Sequence, residues 1–282
     1  MPELPRLPPI ASQPISVVLL AHNQTNHLET ILAAWVTFLN GLDREYEVIV
    51  VNDADTDGIA TLADKLASSY QRVRFLRQTT EQGEGTALRT ALAAARHPLL
   101  FYTLCDPHYQ PADLGKLLHK RADPRKPDLE IDHVHLMTGS RGGQPLPWPW
   151  RIMGLFWRIC CRVLFTQAPE RLSGWLGWKR HLARFPVRML FGVRYHDVAC
   201  PFRLQRREIF ARIPLQSNGP FVHVEILAKA NYLGLIMGEE TSLDPGHYPP
   251  LAKTSSAEQF RQLLMDARQV ICHPDFGETQ TK

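Results

Sequence analysis

The chain has 282 residues, room for one large domain or two small ones with a substantial core, and its 44% hydrophobic and 21% charged residues are those of a soluble globular protein. No window reaches the roughly 18 uninterrupted apolar residues of a membrane-spanning helix, and Met1-Pro-Glu-Leu-Pro-Arg-Leu-Pro-Pro lacks a signal peptide's apolar segment, so a cytoplasmic chain is expected. The net charge of +4 hides an asymmetry: from Arg141 to Arg194 there are ten Lys and Arg against one acid, Glu170, together with five of the six tryptophans.

Taken in order, residues 1–13 are punctuated by proline and read as a flexible or loosely docked arm. Ile15-Ser-Val-Val-Leu-Leu-Ala is a buried strand that ends in the polar turn His22-Asn-Gln-Thr-Asn26, and a helix follows from about His27 to Phe38 with Leu28, Ile31, Leu32 and Trp35 at core spacing. A second strand, Tyr46 to Val51, runs into Asn52-Asp53-Ala-Asp55-Thr-Asp57-Gly58, and a helix opens near Ile59. Val73 to Arg77 is a third strand, Gly83-Glu-Gly85 a flexible turn, Thr86 to Ala95 a helix, and Pro98 to Tyr102 a fourth strand leading to a turn with Asp106 and His108 before a helix near Pro111. Residues 115–138 supply a helix, a charged loop and the strand His133 to Thr138; His133 and His135 alternate on that strand as an ordinary face, with no third metal ligand in view. Trp148 to Phe165 and Leu172 to Phe191 read as helices, Phe221 to Ala230 as a helix, Gly234 to Gly238 as a strand, and Ser255-x-x-Glu258 as the capping box of a last helix reaching about Ile271.

Strands alternating with helices predict a mostly parallel sheet covered on both faces, which binds ligands beyond the carboxyl ends of its strands. The turns after strands one, two and four all lie at that edge. A carboxylate and an imidazole two residues apart, Asp106 and His108, can face one divalent cation that clamps a pyrophosphate; the competing role for Asp106 is to cap the following helix. Asp53 suits a nucleotide's ribose or base, with capping of the next helix as its competing role, whereas Asp55 and Asp57 suit that capping. The five cysteines (Cys105, Cys160, Cys161, Cys200, Cys272) form no C-x-x-C pair and are expected as free thiols, Cys105 as a packing residue.

These pieces together resemble the family 2 glycosyltransferases of GT-A fold, in the branch like dolichyl-phosphate mannose synthase. Leu20-Ala-His-Asn23-Gln24 resembles P-A-Y-N-E, Val51 to Gly58 resembles V-D-D-G-S-T-D-G, Gly83-Glu-Gly85-Thr-Ala-Leu-Arg89 resembles G-x-G-x-A-L-R, and Phe101 to Leu114 resembles F-Y-T-D-G-D-G-Q-Y-D-P-A-E-L. Gly139-Ser-Arg141 falls where the family has G-x-R, and Asp197 to Arg207 resembles D-x-D-C-G-F-K-L-F-R-R. The resemblance implies an α/β chain of nucleotide-diphospho-sugar transferase type with one domain over 14–254, a nucleotide-binding half at 14–114, an acceptor half at 115–254, a basic Trp-rich helical insertion at 145–191, and a C-terminal helix and tail at 255–282. It implies donor binding by Asn23, Asp53, Gly85, Arg89 and Asp106, a Mn²⁺ or Mg²⁺ ion on Asp106 and His108, phosphate contacts from Arg141, Arg203 and His247, and Asp197 as the catalytic group at the acceptor, with an ion pair to Arg194 or Arg203 as its structural alternative.

The sequence departs from the pattern at Leu104, which replaces the first acid of the metal-binding D-x-D, and at Gln24, Asn52, Ala199 and Pro201. The expected reaction is transfer of a sugar from a nucleotide diphosphate sugar to a polyprenyl phosphate or similar lipid, with residues 148–191 lying on the inner face of the cell membrane. The alternative for those helices is a core pair or a homodimer contact, and the alternative for the whole is a degenerate GT-A module that binds a nucleotide sugar, lipid or protein. No nucleic-acid module is recognised in the basic stretch, so no nucleic-acid partner is expected.

Overall fold

The computed structural model describes residues 9–21, 27–52, 59–78, 83–119, 134–141, 191–193, 195, 197–243 and 257–277. Among these, seven strands form one sheet in the order β3-β2-β1-β4-β6-β5-β7: β1 Ile15–Ala21, β2 Tyr46–Asn52, β3 Val73–Arg77, β4 Leu99–Leu104, β5 Leu136–Arg141, β6 Arg203–Arg206 and β7 Met237–Leu243. The helices are α1 Leu28–Asn40, α2 Ile59–Ser69, α3 Glu84–Ala94, α4 Pro111–His119, a short α5 Ile209–Arg212, α6 Val222–Tyr232 and α7 Ala257–Cys272. None of the described helices is long and apolar enough to cross a membrane.

The Val, Leu and Ile runs of β1 and β2 are buried from end to end, as parallel strands covered on both faces must be. On one face Val17, Leu19, Val48, Val50 and Phe101 pack against Leu28, Leu32 and Trp35 of α1 and Leu114 and Leu117 of α4. On the other, Val18, Leu20, Ile49, Val51 and Tyr102 meet Ala87, Leu88 and Ala91 of α3 and Val222 and Ile226 of α6. Trp35 lies 5.4 Å from Phe101, whose edge meets Phe202 at 4.7 Å. Within the arm expected over 1–13, Ile10 is buried in the first of these clusters, so residues 9–13 belong to the folded domain.

Several boundaries differ from the sequence reading. The Gly83-Glu-Gly85 segment is no flexible turn: Gly83, at φ 88°, is the N-cap of α3, and Glu84 and Gly85 form its first turn. β4 runs on to Leu104 because its pairing with β1 continues to Leu20. The strand expected at 234–238 begins at Met237, because Gly234, at φ 66°, ends α6 with the Leu235 amide donating back to the Ala230 carbonyl. β6 has no counterpart in the sequence reading. Arg203-Leu-Gln-Arg206 carries one apolar residue, yet all four are buried, since antiparallel β4 on one side and β5 on the other enclose them.

The loop at 214–219 ties three helices together. Glu225 of α6 accepts the amides of Gln216 at 2.8 Å and Ser217 at 2.9 Å, and pairs at 2.8 Å with Lys229, which is buried with it. Asp266 of α7 accepts the Gly219 amide at 2.8 Å, and from α3 the Gly85 amide donates to the Asn218 carbonyl at 2.7 Å. Arg89 donates to the carbonyls of Leu215 at 3.3 Å and Ser217 at 2.7 Å and to the Thr86 hydroxyl at 2.8 Å, and also to the Asn218 side-chain oxygen. Gly85 and Arg89, expected as donor-binding residues, are therefore used to seat α3 on this loop. A Cβ at Gly85 would sit 2.0 Å from the Ser217 carbonyl oxygen, leaving no room for a ligand on that side.

At the opposite, amino edge of the sheet, Glu47 accepts from the Ser16 hydroxyl at 2.6 Å, the Arg74 guanidinium at 2.6 Å and the Arg96 amide at 2.7 Å. Burial alone would raise this carboxyl, but the three hydrogen bonds and the Arg74 charge outweigh it and hold Glu47 below its ordinary value. A depressed carboxyl contributes stability that is present above the unfolded value and lost as pH falls through the folded one. Glu47→Gln is accordingly expected to unfold at lower urea than the parent near neutral pH, and the gap between them to close as pH drops below the ordinary value of 4.5. Gly85→Ala is expected to cost about 1–3 kcal/mol in urea denaturation, because the obstructing atoms are backbone and cannot swing aside.

Candidate active site at the carboxyl edge of the sheet

Register decides what meets at the edge. Leu20 of β1 is level with Val51 of β2 and with Leu104 of β4, all three strands running the same way. The chains entering 22–26, 53–58 and 105–110 thus leave the sheet side by side. β6 is antiparallel to β4 with Tyr102 level with Arg203, so residues 197–202, which precede β6, lie beyond the same end as residues 105–110, which follow β4. β5 runs antiparallel to β6 and parallel to β7, which brings the backbone of Arg141 and the chain leaving Leu243 to this edge as well. Between β1 and β4 the strand order reverses, the position at which open α/β sheets form a ligand crevice.

Asp106 and His108 are held by what surrounds them. The Cys105 amide continues the ladder to the Leu20 carbonyl at 2.8 Å. Tyr109 is buried, stacks on Phe202 at 6.2 Å and donates its amide to the Asp106 carbonyl at 3.0 Å. The Asp106 carboxylate receives the His108 amide at 2.8 Å and lies 2.5 Å from His108 Nδ1. The side chains are 20% and 47% exposed, so both are accessible at this edge of the sheet. Burial, with the Asp106 charge beside it, pushes the Cys105 thiol up to about 12, which removes it as a nucleophile.

A carboxylate and an imidazole are donors that suit a divalent cation. In this structure they bond to each other, Asp106 Oδ1 lying 2.5 Å from His108 Nδ1, so a cation held by both would replace the proton between them. Among the described residues no three His, Cys, Asp or Glu gather as a metal cage.

Asp197 is buried, and its amide donates to the Glu239 carboxylate of β7 at 3.2 Å. Burial, with the Glu239 charge adding to it, pushes the Tyr195 hydroxyl up to about 12. Arg203 corrects the expectation of a phosphate contact: it is fully buried and donates to the carbonyls of Cys200 at 3.1 Å, Val198 at 2.7 Å and His223 at 2.5 Å. Its guanidinium serves the backbone around Asp197 instead of an ion pair with the Asp197 side chain. Asn23, Asp53, Arg194, His247 and the expected helices over 148–191, save Phe191, lie outside the described residues, and Arg141 is described as backbone only.

Two features escaped the sequence reading. Glu239 stands in a strand whose polar residues conceal its period. The other is a chain of side chains on the α3 and α6 face of the sheet: His223 of α6 faces Glu84 at 2.8 Å through Nε2 and the Tyr102 hydroxyl at 3.1 Å through Nδ1. The only signal for it was a polar residue among the apolar positions of Phe221-Val-His-Val-Glu225.

Residues 16–213 match the family model for glycosyl transferase family 2. The polyprenol monophosphomannose synthase of Mycolicibacterium smegmatis is 26% identical over 180 residues, 61% of this chain and 56% of that protein. Glycosyltransferase AglD of Haloferax volcanii is 33% identical over 229 residues, 80% of this chain and 32% of that protein. The matches thus span about half the length of one curated relative and a third of the other. Among solved structures, glucosyl-3-phosphoglycerate synthase from Mycobacterium tuberculosis in complex with Mn²⁺, UDP-glucose and phosphoglyceric acid superposes with a TM-score of 0.57 at 19% identity, covering 94% of this chain and 82% of that one. Mannosyl-3-phosphoglycerate synthase from Rubrobacter xylanophilus superposes with a TM-score of 0.56 at 15% identity, covering 92% and 73%. The order of the strands, the crevice where that order reverses and the family match over most of the chain make this a member of glycosyl transferase family 2 with the GT-A fold.

Proposed function

We propose that this chain transfers a sugar from a nucleotide diphosphate sugar to a polyprenyl phosphate or similar lipid phosphate at a membrane surface. The observation that carries the proposal is the convergence at one sheet edge of the Asp106–His108 turn, the Asp197 segment and the strand ends that lead into residues 22–26 and 53–58. The lipid acceptor is supported by the similarity to polyprenol monophosphomannose synthase, and the membrane surface by the basic, Trp-rich segment between Arg141 and Arg194.

In this reading Asn23 and Asp53 hold the nucleoside, and Asp106 and His108 would hold a divalent cation, Mn²⁺ or Mg²⁺, which would neutralise the leaving pyrophosphate. The Mn²⁺ in the complex of glucosyl-3-phosphoglycerate synthase supports a divalent cation in this role. The acceptor's phosphate has a second pKa of about 6 and is already ionised near neutral pH, so little proton removal is required of the protein. An acceptor oxygen forms a bond to the anomeric carbon while the bond to the nucleotide's terminal phosphate oxygen breaks, and the electron pair leaves with the nucleoside diphosphate. Asp197, buried and held through its backbone by Glu239, orients the acceptor end more than it deprotonates it. Arg141 and His247 are the phosphate contacts of this reading.

Thermal shift with UDP-, GDP- and dTDP-sugars, each with and without Mn²⁺, tests the donor half. One of these donors is expected to raise the midpoint by a few degrees only with the metal, Asp106→Ala to abolish that shift, and His108→Ala to weaken donor affinity by roughly tenfold or more. Indifference to every donor would instead favour a binding module without transferase activity. Flotation with liposomes containing anionic lipid tests the membrane half: the protein is expected to float at low salt and to be released as salt screens the basic segment.

A further inference from the structure

We infer that His223 is a positioning residue that holds the Glu84 carboxylate back from the pyrophosphate of the bound donor. The inference rests on the donor reading above and adds a residue to it. α3 lies over β1 and β2, with Ala87 and Leu88 in one buried cluster with Leu20 and Val51, so its first turn stands at the carboxyl edge of the sheet. Glu84 is in that turn and its side chain is 36% exposed. A free carboxylate facing the donor's phosphates would repel them.

The structure restrains it from the buried side. His223, only 3% exposed, reaches from α6 to Glu84 Oε2 at 2.8 Å. Its ring stacks on Tyr102 at 5.6 Å and its Nδ1 is 3.1 Å from the Tyr102 hydroxyl. An ionised carboxylate can only accept, so His223 Nε2 carries the ring proton toward Glu84, and Nδ1 is left to accept from the Tyr102 hydroxyl. Arg203 also grips the His223 carbonyl at 2.5 Å, fixing the helix turn that carries the ring. Three elements, β4, α6 and α3, are thus aligned to pull one acidic side chain aside, which explains how an acid is tolerated at the mouth of a site for an anion.

Calorimetric titration of UDP, GDP and dTDP, each with Mn²⁺, into the full chain tests this. For the nucleotide the parent binds, His223→Ala is expected to weaken affinity by roughly tenfold, since the released charge faces the diphosphate. His223→Gln, which keeps an N–H for Glu84, should bind more tightly than His223→Ala. The deciding variant is Glu84→Gln/His223→Ala: with the charge gone, affinity is expected to return close to that of Glu84→Gln alone. Thermal midpoints taken without nucleotide separate loss of fold from loss of binding, because a double variant that stays destabilised yet binds still supports the inference. Parent-like binding by His223→Ala, or a double variant as weak as His223→Ala, overturns it. A parent chain that binds none of the three nucleotides overturns the donor reading itself, and this inference falls with it.

Discussion

β1 sits between β2 and β4 and points the same way as both, and this placement constrains nearly everything else in the molecule. With Leu20 level with Val51 and with Leu104, three connections must leave the sheet together. No side chain at those connections needs to search for the others, since the backbone hydrogen bonds of a parallel ladder deliver them to one place. The buried runs of β1 and β2 and the tryptophan of α1 stabilise that register by burying it, and the hydrogen bonds of Ser16, Arg74 and Arg96 to Glu47 fasten the other end.

β6 adds a second constraint of opposite polarity. An antiparallel strand beside β4 turns the preceding segment, 197–202, back to the edge that β4 has just reached. That segment contains Pro201, which has no amide to give, and it follows no regular ladder, so its carbonyls require donors from elsewhere. Arg203 supplies them to Cys200 and Val198 and then reaches His223. Burying a guanidinium is costly unless its protons are bonded, and here every nitrogen of it meets a carbonyl.

Much of the fold was legible because it rests on apolar period. The strands at 15–21 and 46–52 and the helix at 28–40 bury continuous or helically spaced hydrophobic residues, and those patterns are local. β6 was not legible because its burial comes from neighbours far along the chain, which no alternation within Arg203-Leu-Gln-Arg206 reveals. The same reason explains the site. Asp106 and His108 stand two residues apart after a clear strand, and their contact could be read from spacing. Gly85 and Arg89 look in the sequence like groups kept for the donor and Arg203 like one kept for a phosphate, yet each is engaged by backbone atoms within residues 198–223, which only the folded chain brings near. A basic residue in a family motif can serve the scaffold as readily as the substrate, and burial separates the two.

The loop at 214–219 carries the last consequence. It is grasped by α3 from the crevice side and by Asp266 of α7 from the other, while the Gln216 side chain bonds the His273 carbonyl at 2.9 Å and the Asp275 amide at 2.8 Å, and Gly277 packs against the Ala211 backbone. The C-terminal helix is therefore mechanically in series with the mouth of the crevice, although it contributes no residue to it. Shortening the protein ahead of residue 257, or fusing a bulky partner close behind residue 277, would slacken α3 at a distance, and an enzymologist would see the damage as weak substrate binding in a protein whose central sheet was still intact.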